Sequence, residues 1–421
     1  MSWALFLLGV LGVIHAVNAM APRKRPVALF AWSFFASWLT IELVWHHVVL
    51  GAVITGLLVN AGALDQPVGV VGLALFLVAE ALLVGIGLVT RRTQVTVRGS
   101  LEELDPGPGA PRFPRSHVVL PFLMGHRKGI RLVKNIEFAR ASGKVLRLDV
   151  TIPSAPVPAG RARRPALLQI HGGGWVIGDK REQGIPLLTH MAAQGWVGFN
   201  ANYRLSPAAT FPDHLVDCKR ALAWIREHAA EYDIDPEFIC VTGGSAGGHL
   251  TALVGTTVGD PRFQPGFETA DTSVAAAVPF YGLYDLTPNG AFGADRQIYR
   301  RFLEPVVMKT FVAEEPERFK EASPLHHVHD AVPPFFVIHG DRDTLAPVED
   351  ARAFVARLRE VSQEPVLYAE MHGAQHAFEI FPSVRTARVI EGVERFLTTL
   401  WERREAPASS VEAELEDTLT D

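Results

Sequence analysis

A serine hydroxyl attacks a carbonyl only when a base takes its proton and an acid orients that base. This chain carries such residues where apolar runs end. Ser245 is at the centre of Gly243-Gly244-Ser245-Ala246-Gly247-Gly248. The run 238–241 leads in as a strand, and 250–254 leads out as a helix. A serine on so tight a turn needs neighbours with almost no side chain, because the backbone is strained there. A glycine-rich turn that only packs a helix on a sheet would read the same way, so partners decide. In strand-turn-helix order the acid and then the base should follow the serine. The run 335–339 ends in Gly340-Asp341-Arg342-Asp343-Thr344-Leu345. We take Asp343 as the acid and leave Asp341 to shape the turn. The next strand ends in Met371-His372-Gly373-Ala374-Gln375-His376. His376, deeper in its loop than His372, is the expected base.

Acyl transfer also develops a negative oxygen, which needs donors already aimed at it. His171-Gly172-Gly173-Gly174-Trp175 ends an earlier strand. Bare glycine N–H groups approach closely, so Gly173, Gly174 and the Ala246 N–H are the expected oxyanion hole. The run lacks the lysine-serine ending of a phosphate loop. His171 is expected to tie down the glycine loop, and His249 to lie buried beneath the elbow. His326, His327 and His329 stand beside Asp330 but have no second cluster, so packing or surface roles are expected and no metal or cofactor.

These loops need a frame. From residue 165 the pattern repeats strand, turn, helix, with strands over 166–170, 197–203, 238–241, 274–281, 335–339 and 366–370. Runs 133–138 and 145–152 alternate and open the sheet as a hairpin. Helices are expected over 215–230, 348–361 and 384–400. The result is an α/β fold, with a mostly parallel, eight-stranded twisted sheet and helices on both faces. Ligands then bind at the carboxyl ends of the strands. The stretch 286–324 is too long for a plain connection. Ile298, Phe302, Leu303, Val306 and Val307 recur there at helical spacing, so a cap over Ser245 is expected, joined by 112–128 unless 117–128 lies in a bilayer interface with its basic residues near acidic headgroups. A peripheral helix packed on the core is the alternative.

Hydrophobic residues make up 48% of the chain, and mean hydropathy is +0.16, so a membrane segment is expected. The net charge of −5 gives nucleic acid no purchase. Cys218 and Cys240 read as buried thiols of a reducing compartment. Stretches 2–17, 27–45 and 66–89 are each about long enough to cross roughly 30 Å of hydrocarbon. The stretch 48–64 is ambiguous: it could extend the second helix, re-enter or cross. Arg23-Lys24-Arg25 and Arg91-Arg92 share one side only if the chain crosses three times. Three crossings put the catalytic part in the cytoplasm. Glu42 costs roughly 3 kcal/mol in a span, and about nine aliphatic or Phe residues at about −0.4 kcal/mol each offset it. Glu42 and Glu80 are expected to bond to neighbouring helices. The organisation is therefore a transmembrane helical module over 1–92, then a linker and possible cap segment over 93–128. The catalytic domain spans 129–402, and an acidic, disordered tail spans 403–421.

Several motifs carry a family resemblance over 133–400. They are His171-Gly172-Gly173-Gly174-Trp175, Tyr203-Arg204-Leu205-Ser206-Pro207, Tyr232-Asp233-Ile234-Asp235-Pro236 and the elbow. Together they resemble the hormone-sensitive-lipase-like esterases of the α/β-hydrolase fold. Gly178-Asp179-Lys180, Gly248-His249-Leu250 and His339-Gly340-Asp341-Arg342-Asp343 are similar to its feruloyl/acetyl-xylan-esterase-like branch. The chain departs from the family at Gly244, where Asp or Thr is common, and at Asp343-Thr344-Leu345, where D-P-L is common. Arylacetamide-deacetylase-like relatives join an anchor to this fold. The resemblance implies a membrane-anchored serine carboxylesterase or lipase acting on short- or medium-chain esters, with a lipid bilayer as partner. A non-catalytic binding protein on the same scaffold, or an amidase or acyltransferase using the same triad, stays open.

Overall fold

The computed structural model describes residues 1–23, 27–104, 112–121, 128–157, 161–295 and 298–405. Lys24 and Arg25, residues 105–111 of the expected linker, His126 and Arg127, and the tail from 406 lie outside them.

Eight strands form one sheet: β1 (Ile130–Ala141), β2 (Lys144–Pro153), β3 (Arg164–Ile170), β4 (Val197–Ala201), β5 (Ile234–Gly244), β6 (Ala276–Phe280), β7 (Phe335–Gly340) and β8 (Val366–Met371). Their order is β1-β2-β4-β3-β5-β6-β7-β8. Only the β1–β2 hairpin and its junction with β4 are antiparallel. Residues of β3, β4, β6 and β7 are buried throughout, as parallel strands covered on both faces must be.

The N-terminal helices are α1 (Ser2–Met20), α2 (Val27–Glu42), α3 (Val44–Asn60), α4 (Pro67–Thr90), α5 (Arg92–Ser100) and α6 (Arg115–Val119). Within the sheet domain follow α7 (Ile185–Ala193), α8 (Asp213–Glu227), α9 (Ala246–Thr256) and α10 (Tyr299–Met308). The last are α11 (Pro316–Glu321), α12 (Val348–Val361) and α13 (Val384–Glu405). Two helices, α1 and the one starting at Pro67, are long and apolar enough to cross a membrane.

Close contacts fix how these helices run. Gly9 of α1 meets Gly72 and Phe76 of α4, and Gly12 meets Ala79. The two helices are therefore parallel. Trp45 of α3 lies against Gly87, and Gly51 against Phe76 and Glu80. So α3 runs antiparallel to α4. The ends Met20 and Val44 both face the sheet domain: Arg342 donates to the Met20 carbonyl (2.6 Å), and His46 Nε2 lies 3.0 Å from the Val119 carbonyl oxygen.

The expected span 27–45 is thus corrected. Helix α2 begins and ends on the sheet-domain side and bends by 88° into α3. One face of α2 is buried on the loop after β8. Trp38 Nε1 donates to Ala377 O (2.9 Å), and Gln375 Nε2 to Ser37 Oγ (3.3 Å). Glu42 bonds not to the neighbouring helices but to α13. It accepts from Arg385 Nε (3.1 Å) and Ser383 Oγ (2.7 Å). The run that was ambiguous, 48–64, lies mostly in α3. Glu80, His15 and His47 line a cavity of about 250 Å³ among α1, α3 and α4.

The linker is also shorter than expected. Val97 of α5, with Leu101 and Leu104 just beyond it, is buried in the core formed with α13, so this stretch packs on the sheet domain. Helix α6 follows the same pattern: Phe113 stacks on His190 (5.8 Å) and its N–H is held by Glu391 (2.9 Å). Residues 112–121 therefore brace the far side of the domain and do not cap Ser245.

Removing one partner of a buried ion pair typically costs about 3–5 kcal/mol, because the remaining charge is left unpaired. Glu42→Ala is expected to lower the unfolding free energy in detergent by about that amount, read from denaturant unfolding followed by circular dichroism.

Candidate active site

Ser245 stands between β5 and α9 with φ 59° and ψ −122°. This is the strained turn the glycine-rich spacing implies. Its N–H donates to Phe280 O on β6 (3.0 Å), which fixes the elbow to the sheet. Gly244 is forced by its neighbour: a Cβ there would lie 2.6 Å from the Tyr281 hydroxyl. Tyr281 fills the space that Asp or Thr would need.

Asp343 and His376 come together at the ends of β7 and β8. His376 Nδ1 lies 2.6 Å from Asp343 Oδ2. The other oxygen accepts from the N–H groups of Leu345 and Ala346, each at 2.8 Å. His339 Nε2 lies 3.4 Å from Oδ2. Burial alone would raise the Asp343 pKa. The imidazole of His376 and the bonds from His339 and His376 outweigh it and hold the carboxyl well below the usual range. The carboxylate thus stays ionised and orients its histidine.

The residues passed over, Asp341 and His372, form a second pair, also at 2.6 Å. Asp341 shapes the turn by accepting from Gly373 N (2.7 Å). Distance alone would not separate the two pairs, but the cavity does. Ser245, His376, Gly173, Gly174 and Ala246 all line one cavity of about 440 Å³, whereas Asp341 and His372 do not.

The glycine loop is held open from behind. Gly172 N–H is taken by Gln183 Oε1 (2.6 Å), while Gly173 and Gly174 face the cavity. Gly173 has φ 109°, and a Cβ there would lie 2.1 Å from Ile177 O. His171 Nδ1 sits 2.8 Å from Gly172 O, and its ring stacks on Tyr203 at 4.4 Å. Tyr203 donates to His171 O (3.0 Å), and Ser206 N donates to Trp175 O (2.8 Å). The Tyr203-Arg204-Leu205-Ser206-Pro207 motif is therefore a brace for this loop, itself anchored by the buried Arg204–Asp217 pair (2.8 Å). His249 is buried under the elbow as expected, 2.7 Å from Ala322 O and edge-on to Trp175. His327 Nε2 lies 2.8 Å from Glu321 O, and His329 Nδ1 accepts from Ala331 N. Both are packing roles.

The cap is half as expected. Ile298 and Phe302 line the cavity with Phe292, while Leu303 and Val307 are buried in the core. The opposite wall comes from α2: Phe34, Phe35 and Trp38. The sequence reading missed this wall, and it missed Tyr281 and Glu379. The Tyr281 ring lies 4.5 Å from that of His376, and its hydroxyl donates to Glu379. Burial pushes the Glu379 carboxyl up to about 7 from an ordinary 4.5. The only sequence signal for Glu379 was an acid three residues past the base.

A family model described as BD-FAE matches residues 148–358. The probable carboxylic ester hydrolase LipM of Mycobacterium tuberculosis is 49% identical over 242 residues, 58% of this chain and 56% of that protein. Esterase LipQ of the same organism is 43% identical over 286 residues, 68% of this chain and 66% of that protein. The match thus spans between about half and two thirds of the length of these curated relatives. Among solved structures, the butyrate-bound form of the thermophilic esterase Est2 from Thermogutta terrifontis is 26% identical. It covers 64% of this chain and 94% of its own, with a TM-score of 0.54. The same enzyme phosphonylated by sarin gives 27% and 0.55.

A carboxyl raised from 4.5 to about 7 binds its proton more tightly in the folded chain. Its stabilisation is complete below about 4.5 and is lost as pH rises through about 7. Glu379→Gln is expected to flatten the fall in unfolding free energy across that window, a difference of at most about 3 kcal/mol. Unfolding followed against pH in both proteins checks this.

Proposed function

From the premise that the chain belongs to the BD-FAE family, we propose that it is a membrane-anchored serine carboxylesterase. The observation that carries this is the shared cavity: Ser245, His376 and the glycine loop face one apolar space of about 440 Å³, and Asp343 holds His376 from behind at 2.6 Å.

In this reading His376 Nε2 takes the Ser245 proton as Oγ adds to the ester carbonyl. The Nδ1–H stays bonded to Asp343, which fixes the tautomer and stabilises the imidazolium. The oxyanion meets N–H groups of Gly173, Gly174 and Ala246, the last at the start of α9, where helix N–H groups lack partners in the first turn. His376 returns the proton to the leaving alcohol. Water then repeats the sequence on the acyl-enzyme. The apolar lining suits a short or medium acyl chain.

Helices α1, α3 and α4 serve as the crossings. The parallel run of α1 and α4 supports an odd number, three, because a fourth crossing would turn α4 against α1. Helix α3, with 17 residues, is at the lower end of the roughly 17–25 needed. Arg23, Arg91 and Arg92 then flank the side that carries the hydrolase domain, which favours the cytoplasm.

Ser245→Ala is expected to abolish p-nitrophenyl butyrate turnover and labelling by a fluorophosphonate. Turnover retained in that variant would refute the nucleophile. Gly173→Ala, whose Cβ would lie 2.1 Å from Ile177 O and so push the donor N–H groups off the oxyanion, should lower kcat by about 100- to 1000-fold.

A further inference from the structure

We propose that the ester is an amphiphile held in a lipid leaflet, and that it enters past α2, where Phe35 and Ile177 select it by its acyl chain. This rests on the ester-hydrolase reading above. Phe35 and Ile177 each line the cavity, yet they are 55% and 68% exposed. They therefore form the mouth, and the mouth is apolar. Leu29, Trp32 and Leu39 are exposed on the same helix, so the rim continues onto an outward apolar surface. A water-facing entrance has no reason to carry such a patch, whereas a lipid-facing one needs it.

The position of α2 gives the patch its occupant. Its middle is tied to α1, through Asn18 Nδ2 on Ser33 O (2.8 Å). Its end is tied to α13, through Arg385 on Glu42. It therefore lies flat between the hydrolase domain and the ends of α1, α3 and α4, at the depth where those helices leave a bilayer. The inner face of the same helix supplies Phe34 and Trp38 to the cavity, opposite Phe292, Ile298 and Phe302. An acyl chain sliding from leaflet to Ser245 would stay in apolar contact along the whole route. At roughly 30 Å³ per water-sized group, a cavity of about 440 Å³ holds the reacting ester and a chain of about ten carbons.

The test uses the full chain in phosphatidylcholine vesicles. Wild-type protein should release decanoate from didecanoylglycerol in the same leaflet and cleave p-nitrophenyl decanoate and acetate. Phe35→Ala and Ile177→Ala should each lower the decanoate-to-acetate ratio of kcat/KM by about tenfold, as expected for losing part of one apolar side chain's contact. Phe35→Leu should restore most of the ratio. A ratio unmoved in both alanine variants overturns the selection by the rim. Cleavage of p-nitrophenyl decanoate without release from didecanoylglycerol overturns entry from the leaflet and favours a dissolved ester. Fluorophosphonate labelling of Ser245 is run on every protein. Wild-type protein that neither labels nor turns over acetate brings down the hydrolase reading itself, an outcome distinct from failure of the rim alone.

Discussion

The Arg385 guanidinium, 1% exposed as a side chain, is the point at which the two halves of this molecule become one site. A cation so buried must find acceptors on every side. It has the Glu42 carboxylate at the end of α2 and the carbonyls of His372 and Gly373 (2.9 and 3.4 Å). The latter begin the loop that carries His376. One side chain thus fixes the loop bearing the base and docks the helix that walls the cavity. Without the N-terminal helices the guanidinium would lose the carboxylate it pairs with, and the cavity would lose Phe34, Phe35 and Trp38. The helical module is therefore structural to the site.

On the sheet side the governing constraint is space. Positive φ at Ser245 lifts the hydroxyl off β5, and the turn closes only because Gly244 leaves room for Tyr281. That concession has a use. Tyr281 packs its ring on His376 and passes its hydroxyl to Glu379. The histidine is then confined by Asp343 at Nδ1, by Tyr281 on one side and by Phe34 at 6.5 Å on another. An imidazole held in one rotamer has little side-chain freedom left to lose. The departure from the family pattern at 244 is thus exchanged for an aromatic brace.

Most of the sheet domain was legible in the sequence because its signals are local. Buried parallel strands are short apolar runs, and their carboxyl ends carry the glycine and Asp-His punctuation. The helix at 348–361 has the bounds its periodicity implies. His376 could be chosen over His372 by its depth in the loop, and Asp343 over Asp341 because the first aspartate suits the turn, although the structure shows that both pairs bond. What the sequence could not say is which surface an apolar helix meets. Residues 27–45 are hydrophobic enough for lipid, and protein contact demands the same composition. Only Ser33, Ser37, Thr40 and Glu42 mark α2 as different, and a polar residue in a span has a second explanation as a bonded interhelical group. Resolving it needs the partner, Arg385, 343 residues away.

The same reasoning bears on how the bundle meets the domain. A continuous span through 27–45 would have to keep Glu42 in hydrocarbon and leave Arg385 without its carboxylate. Breaking the helix at Leu43 avoids both costs: α2 satisfies its acid on the domain, and α3 turns away from it. The bend of 88° is therefore the geometric consequence of one buried charge pair. It also turns the aromatic face of α2 toward Ser245, where a straight helix would have carried it away.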